Sequence, residues 1–161
     1  MPTLYWLRHG DTEVPTNREG GSVGTSLSTS GRSQVARRAE SLAAQGIRPQ
    51  LILSSTIRRA VESADLVADV IGYDGKIKKD PLFNEHGLSK TGDESYEQLW
   101  ERAQRIRTQL MRHKGTVLVV AHGRVGLYVV KAFMGRRPDD NPRQMAHAQL
   151  VRLWPSPTLQ P

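Results

Sequence analysis

Short apolar runs alternate with segments of helical periodicity along most of the chain, and this alternation constrains the fold more than any other feature. The runs Leu4–Leu7, Leu51–Leu53 and Val117–Ala121 are too short for helices and are typical of buried strands. Between them, apolar residues recur at three- and four-residue spacing, most clearly over 96–110. The pattern predicts an α/β domain, a three-layer α/β/α sandwich with a mostly parallel sheet.

The same patterns set the expected element boundaries. Ser28 or Ser30 caps a first helix that ends at Gly46, because serine is favoured at N-caps and glycine after the last turn. We expect further helices over about 58–71 and 96–110 and after His122, an edge strand at 76–79, a last strand over 149–154, and loops over 11–26 and 83–93.

Length and composition limit the class of protein. With 161 residues, we expect one domain over 1–154 and a frayed tail over 155–161. No apolar run approaches the roughly 20 residues of a membrane span, and no leader pattern is found at the N-terminus. Cysteine is absent, which suits a reducing compartment. We therefore expect a cytoplasmic protein with no membrane partner.

The chain carries an excess of positive charge. Lys and Arg number 23 against 16 Asp and Glu, so the formal net charge is +7. The basic residues are scattered in pairs such as Arg136-Arg137, and the chain has no basic tail or recognisable nucleic-acid motif. The charge thus favours phosphorylated substrates over a nucleic-acid partner.

Polar groups follow three of the predicted strands. Arg8-His9 ends the first, Ser54-Ser55 ends the second and leads to Arg59, and His122-Gly123 follows the central strand. Ligands of parallel sheets bind outside the carboxyl ends of the strands, so these groups should meet at one edge. A glycine after each histidine lets the backbone approach a ligand closely.

Imidazole and guanidinium groups together suit an oxyanion. A guanidinium binds phosphate through two parallel hydrogen bonds, and a helix start such as that at Arg59 already favours an anion. Periodicity alone does not decide between Arg58 and Arg59. A metal site is not expected, because the histidines lie in separate segments without a helical pair.

Six motifs in order resemble those of the histidine phosphatase superfamily, which includes the phosphoglycerate mutases and related phosphatases. They span nearly the whole chain and select Arg59 over Arg58. They are Leu7-Arg8-His9-Gly10-Asp11-Thr12, Leu27-Ser28-Thr29-Ser30-Gly31, Ser54-Ser55-Thr56-Ile57-Arg58-Arg59-Ala60, Leu82-Phe83-Asn84-Glu85, Gly92-Asp93-Glu94-Ser95 with Arg102, and Val119-Val120-Ala121-His122-Gly123.

The resemblance implies a phosphoglycerate mutase-like fold and a role for each matching residue. His9 would be the nucleophile, since imidazole is mostly neutral at pH 7. Arg8, Arg59 and His122 would surround the phosphoryl oxygens, with His122 made cationic by the phosphate charges. Glu85 would protonate the leaving oxygen and then activate water.

Further contacts are expected around this set. Asp11 is the reserve acid, and the backbone N–H groups of Gly123 and Arg124 are candidate phosphate donors. The family's asparagine after the Arg-His-Gly motif is replaced here by Val14-Pro15, which makes Asn17 a possible substitute.

The long insertion of the mutases is missing after Glu85, where only His86–Thr91 precede Gly92. We therefore expect a shallow, open pocket and no mutase activity. The resemblance implies a metal-independent phosphatase without a cofactor, acting on phosphomonoesters through phospho-His9. A phosphohistidine phosphatase acting on a protein and a non-catalytic phosphate-binding protein are the alternatives. The sequence leaves the oligomeric state open.

Overall fold

The computed structural model describes residues 1–14, 24–88, 94–140 and 142–161. Within them, six strands form one sheet in the order β3-β2-β4-β1-β5-β6. The first four strands in this order are mutually parallel, whereas β5 is antiparallel to β1 and β6 is antiparallel to β5. The strands are β1 (Thr3–Arg8), β2 (Leu51–Ser54), β3 (Lys78–Lys79), β4 (Thr116–Ala121), β5 (Leu150–Trp154) and β6 (Thr158–Leu159).

Four helices cover the two faces of this sheet. Along β1, Leu4 and Trp6 point into one core and Tyr5 and Leu7 into the other, as alternate residues of a strand must. The predicted three-layer α/β/α arrangement is therefore confirmed. Helices α1 (Thr29–Ala44) and α2 (Arg58–Ile71) cover the Tyr5 face, and α3 (Tyr96–Leu110) and α4 (Gly123–Phe133) cover the Trp6 face.

The helix ends follow from local chemistry. Ser28, and not Ser30, caps α1, because its side chain accepts a hydrogen bond from the Gly31 N–H at 2.9 Å. Ser95 and Gln98 form a reciprocal capping box at the start of α3. Gly72 ends α2 in the left-handed conformation with φ 68°. No helix of the described residues is long and apolar enough to cross a membrane.

The segment after Trp154 differs from the frayed tail that the sequence predicts. Thr158 and Leu159 pair with Arg152 and Val151, and the Gln160 N–H donates to the Leu150 carbonyl at 3.0 Å. A two-residue strand carries no recognisable hydrophobic alternation, which is why the sequence pattern misses it. The backbone hydrogen bonds to β5 hold this segment in place.

The loop before α3 begins with a 3-10 turn over Pro81–Phe83, in which the Leu82 N–H donates to the Asp80 side chain at 2.8 Å. It continues through Asn84 and Glu85 to a turn at Gly87, where φ is 77°. Residues 89–93, which complete the predicted loop over 83–93, lie outside the described residues.

Candidate active site

The carboxyl ends of β1, β2 and β4 meet at one edge of the sheet. His9 follows β1 and His122 follows β4, and their ring centroids are 5.2 Å apart in an edge-on arrangement. Arg59, in the first turn of α2, donates from Nε to His9 Nε2 at 3.2 Å. The structure thus brings together groups that lie more than 100 residues apart in the chain.

The hydrogen bond of His9 determines which nitrogen carries its proton. Nδ1 lies 2.7 Å from the carbonyl oxygen of Gly10, and a carbonyl only accepts, so Nδ1 is the protonated nitrogen. The lone pair is therefore on Nε2, the atom facing Arg59. Burial, followed by the positive charge of Arg59, lowers the pKa of His9 well below its ordinary value. A neutral imidazole with its lone pair on Nε2 is the expected state at pH 7.

The glycine after His9 has a different role from the one expected. A Cβ on Gly10 would lie 2.4 Å from the carbonyl oxygen of Gly31 and 2.9 Å from the Val35 side chain. Gly10 is therefore needed for close packing of the loop against α1. No ligand approach is required to explain this glycine.

His122 is positioned by a chain of hydrogen bonds. Ser55 Oγ donates to Asn84 Oδ1 at 2.8 Å, so it accepts from His122 Nε2 at 2.8 Å. Nδ1 of His122 is buried and has no hydrogen-bond partner among the described residues. Burial, and then the neighbouring His9 and Arg59, lower the pKa of His122 well below its ordinary value.

The protein's own groups do not make His122 cationic, so its expected positive charge depends on the charges of a bound phosphate and stays a prediction. The protein's own charges favour the neutral imidazole, because burial and positive neighbours all disfavour a further positive charge. Only the negative charge of a bound phosphate could reverse the balance. Protonation of His122 is therefore expected to accompany phosphate binding.

Arg8 reaches the same site from the end of β1. Its Nη1 donates to the Met145 carbonyl, and its buried Nε has no partner within the described part of the chain. A Cβ on Gly123 would lie 2.9 Å from this Nε, so Gly123 makes room for the guanidinium. Burial lowers the pKa of Arg8, and the nearby Glu85 carboxylate opposes that shift.

Glu85 lies beside the two arginines and binds the start of α4. Its two carboxylate oxygens accept hydrogen bonds from the backbone N–H groups of Arg124, at 3.1 Å, and Val125, at 3.0 Å. A helix start favours such a negative group. The Arg124 N–H, predicted to be a phosphate donor, is therefore bound by Glu85 in this structure.

Arg102 on α3 holds the loop that carries Glu85. Its guanidinium donates to the carbonyls of Leu82 and Asn84 and forms a two-pronged pair with Glu94, all at 2.7–2.8 Å. Asn84 Oδ1 in turn accepts from the Thr56 N–H and from Ser55. These contacts fix the loop and the serine that orients His122.

Two of the predicted binding residues have different outcomes. Asp11 is half-buried next to the site, where its carboxylate accepts from Ser28 Oγ at 3.3 Å and lies 3.7 Å from His147 Nδ1. Asn17 lies outside the described residues, so its role stays a prediction. The expected open pocket, which depends on residues up to 91, also stays a prediction.

Sequence reasoning missed the importance of His147, whose ring centroid is 5.6 Å from that of His9. It lies just before β5, and because β5 runs antiparallel to β1, its start meets the end of β1. The pattern of β5 gives no direction, so the sequence offers no signal for this contact. Ser55 and Asn84 were within matched motifs, but their link to His122 was not foreseen.

No group of three or more His, Asp or Glu side chains in the described ranges is arranged to hold a metal ion. The expectation of a metal-independent site stays a prediction.

The comparison with protein-family models decides the family. The model of the histidine phosphatase superfamily, branch 1, matches residues 4–91 and 79–156. The chain belongs to the histidine phosphatase superfamily. The resemblance stated from its six motifs is thus confirmed for the family and the fold.

Solved structures of the superfamily share this fold. A mycobacterial glucosyl-3-phosphoglycerate phosphatase is 24% identical, with a TM-score of 0.72 over 93% of this chain and 91% of its own. A phosphoserine phosphatase mutant from Entamoeba histolytica is 18% identical, with a TM-score of 0.72 over 100% and 96%. The protein histidine phosphatase SixA is 18% identical, with a TM-score of 0.64 over 98% and 94%.

Proposed function

We propose that this superfamily member is a metal-independent phosphatase that hydrolyses phosphomonoesters through a phosphohistidine on His9. One observation carries the proposal: the Nε2 lone pair of a buried, neutral His9 lies among Arg8, Arg59 and His122. A neutral nucleophile surrounded by hydrogen-bond donors for oxyanions suits phosphoryl transfer. The finer assignment, a phosphoric monoester hydrolase of the histidine acid phosphatase type, belongs to the same proposal.

The reaction has two steps on one nitrogen. His9 Nε2 attacks phosphorus, the N–P bond forms, and the P–O bond to the leaving group breaks while Glu85 supplies that oxygen with a proton. Water then attacks phosphorus, its proton passes to Glu85, and the N–P bond breaks to release orthophosphate. His9 keeps its Nδ1 proton throughout, through the bond to the Gly10 carbonyl.

The remaining site residues would bind the phosphoryl group. Arg8, Arg59 and His122 would donate to its oxygens. Arg8 Nε and His122 Nδ1 are the expected donors, because both are buried and neither has a partner among the described residues. The Gly123 backbone N–H and Asn17 are proposed as further contacts. Asp11 is the reserve acid next to the site. A cytoplasmic location stays a prediction.

A second candidate is a phosphohistidine phosphatase acting on a protein. The six residues between Glu85 and Gly92 leave no room for a helical insertion, and a site without one suits a bulky substrate. The protein histidine phosphatase SixA has the same fold. A phosphohistidine peptide assayed beside small phosphomonoesters separates the two candidates by their kcat/KM values.

The decisive test is His9→Ala. We expect it to abolish hydrolysis of an aryl phosphate while the far-UV circular dichroism stays unchanged, and wild-type protein quenched in mid-turnover should carry an acid-labile phosphoryl group on His9. The matched control is His113→Ala, a histidine just after α3 and outside the site. Turnover by His9→Ala would reject the mechanism, and phosphate binding without turnover by wild type would favour a non-catalytic binding protein.

The role of Glu85 is tested by comparing substrates whose leaving groups differ in their need for a proton. Glu85→Gln keeps an oxygen that can accept from the start of α4 but has no proton to transfer. We expect kcat/KM to fall by about 10²–10⁴-fold for alkyl phosphates, which need the acid, and far less for nitrophenyl phosphate. The value of kcat/KM is the right measurement because it reports the steps up to leaving-group release. Equal losses for both substrates would exclude the acid role.

A further inference from the structure

The turn that precedes β5 is fixed against the end of β1 and places His147 beside the nucleophile. The Arg8 guanidinium donates to the Met145 carbonyl, and the Ala148 N–H donates to the His9 carbonyl at 3.1 Å. Ala148 has a φ of 52°, in the left-handed region that residues other than glycine rarely adopt. Such a conformation persists only where the surrounding contacts hold it. These contacts therefore set the position of the His147 ring, whose centroid is 5.6 Å from that of His9.

The surroundings of His147 favour a neutral ring with its lone pair on Nε2. Nδ1 lies 3.7 Å from Asp11 Oδ1, and the other oxygen of this carboxylate accepts from Ser28 Oγ at 3.3 Å. A carboxylate only accepts, so the Nδ1 that faces it carries the proton. Burial, followed by the charge of Arg8, lowers the pKa of His147, and Asp11 opposes that shift. The buried Nε2 is therefore a hydrogen-bond acceptor that nothing in the described part of the chain satisfies.

Water is the group that can satisfy this acceptor during the reaction. The phosphoryl oxygens of phospho-His9 and the oxygen of a departing alkoxide are acceptors themselves, whereas water has two O–H groups to donate. In the proposed second step one of these protons passes to Glu85, so the other needs an acceptor. Glu85 and Asp11 are both close enough to Arg8 for their charges to act on its pKa. The Glu85 carboxylate and the pair formed by His147 and Asp11 therefore border the same arginine of the phosphoryl site.

The His147 side chain is also exposed to solvent, unlike the other two imidazoles of the site. It is 30% exposed and lines a cavity of about 400 Å³ beside α1, whereas His9 is 1% exposed and His122 is 0% exposed. A phosphoryl group on His9 needs space that these closely packed rings provide only if one of them shifts. We expect His147 to be that ring, because the cavity gives it room and supplies the water.

We propose that His147 is a further catalytic residue of this site: its Nε2 accepts a hydrogen bond from the water that hydrolyses phospho-His9, and Asp11 is the positioning residue that keeps the proton on Nδ1. The water oxygen forms the new bond to phosphorus, and one of its protons passes to Glu85. The N–P bond breaks with its electron pair returning to His9 Nε2, and the second proton stays on the orthophosphate that is released. The inference rests on the proposed phosphatase function and adds a residue to its second step.

This role has a consequence for the choice of phosphoryl acceptor. A simple alcohol such as methanol has one O–H group, and it gives that proton to Glu85. It therefore has no proton left to donate to His147, whereas water has one. His147 thus favours water over alcohols, and with it hydrolysis over transfer of the phosphoryl group.

Rapid-quench kinetics with nitrophenyl phosphate separate the two steps, because nitrophenolate release reports the formation of phospho-His9 and protein-bound phosphate reports its decay. His147→Phe keeps a ring and removes the acceptor. We expect its rate constant for decay to fall about tenfold, the size of one lost hydrogen bond, and its rate constant for formation to change less than about twofold. His147→Gln retains an acceptor oxygen and should recover part of the loss. The matched control, His113→Phe, lies just after α3 and outside the site and should leave both rate constants unchanged.

Asp11→Asn removes the acceptor while leaving His147 in place, and it serves also if circular dichroism shows that His147→Phe does not fold. The Asn oxygen should keep the hydrogen bond from Ser28, which turns the Asn NH₂ group toward His147 Nδ1. Nδ1 must then accept, and the proton moves to Nε2. We expect the same selective fall in the decay of phospho-His9. A fall confined to its formation would overturn the positioning role of Asp11.

Added methanol gives a second measurement. The ratio of methyl phosphate to orthophosphate should rise severalfold in His147→Phe, and a ratio equal to that of the wild type would overturn the proposal, since every acceptor would then be affected alike. An unchanged rate of decay, or equal falls in decay and formation, would overturn it as well. If wild-type protein forms no phospho-His9 and hydrolyses no phosphomonoester, the proposed function itself is overturned.

Discussion

His9 and His122 are neighbours in one buried site, and the protein around them disfavours a second proton on either ring. Burial is the first cause for both, and the guanidinium of Arg59 adds to it. His9 benefits directly, because the neutral ring is the nucleophile. His122 is expected to gain a proton on Nδ1 only when an anion is bound, so phosphate binding and proton uptake are coupled at this residue.

The same pKa shifts predict how stability depends on pH. An unfolded histidine has a pKa near ~6.5 and the folded values lie below it, so below about pH 6.5 the unfolded chain binds protons that the folded protein does not. The contribution of His9 and His122 to the free energy of unfolding is thus present above pH 6.5 and is lost as the pH falls. Each histidine contributes a slope of up to about 1.4 kcal/mol per pH unit.

Urea unfolding between pH 5 and 8 measures this slope. His122→Gln retains a donor toward Ser55 but does not titrate, so its free energy of unfolding should fall less steeply with acid than that of the wild type. A variant slope equal to the wild-type slope would show that His122 is not the group held neutral.

At the scale of elements, the site depends on backbone contact between the loop after β1 and the start of α1. A Cβ on Gly31 would lie 2.0 Å from the Asp11 carbonyl oxygen, and one on Gly10 would lie 2.4 Å from the Gly31 carbonyl oxygen. Neither partner is a side chain that could turn away. The two glycines therefore set the distance at which α1 supports His9.

Gly31→Ala tests this contact against helix propensity. Alanine in a helix is normally favoured over glycine by about 1 kcal/mol, but here the clash requires a backbone shift that typically costs about 1–3 kcal/mol. We expect a lower free energy of unfolding and a lower kcat, measured by urea unfolding and by aryl phosphate hydrolysis. The control Ser30→Ala, exposed on the same turn, should stay within about 0.5 kcal/mol of wild type. A more stable Gly31→Ala would contradict the packing argument.

Elements with a full hydrophobic pattern were predictable to the residue, and short ones were not. The structure begins α2 at Arg58 and ends it at Ile71, and α3 covers the predicted 96–110. In contrast, β6 has two residues and no pattern, and the direction of β5 is set by sheet pairing, which no local signal reports. The position of His147 beside His9 could not be predicted for that reason.

The functional site also has features that the sequence predicts and features that it does not. The imidazoles and guanidiniums are visible in the sequence because they follow apolar strands that must be parallel and central. The hydrogen bonds that set their protonation, from His122 to Ser55 and from His9 to the Gly10 carbonyl, depend on distances that only the folded chain fixes. Sequence reasoning therefore found the imidazoles and guanidiniums but not the burial and contacts that lower the pKa of His9 and His122.

At the scale of the whole molecule, the net charge of +7 acts on any phosphorylated substrate before it binds. A phosphomonoester is an anion, and a positive field raises its rate of encounter with the site. The field is screened by salt, with a Debye length of about 30 Å at 0.01 M and about 10 Å at 0.1 M. Attraction at a distance thus affects encounter, whereas the chemistry on His9 occurs within hydrogen-bond distance.

Raising sodium chloride from 0.01 to 0.2 M should therefore lower kcat/KM for a dianionic aryl phosphate severalfold and leave kcat nearly unchanged, because saturating substrate removes the encounter step. Initial rates over a range of substrate concentrations at each salt concentration measure both constants. A parallel fall in kcat would mean that chloride competes inside the site. Salt-sensitive binding to duplex DNA that survives His9→Ala would instead assign the charge to a nucleic-acid partner, which the scattered basic pairs do not predict.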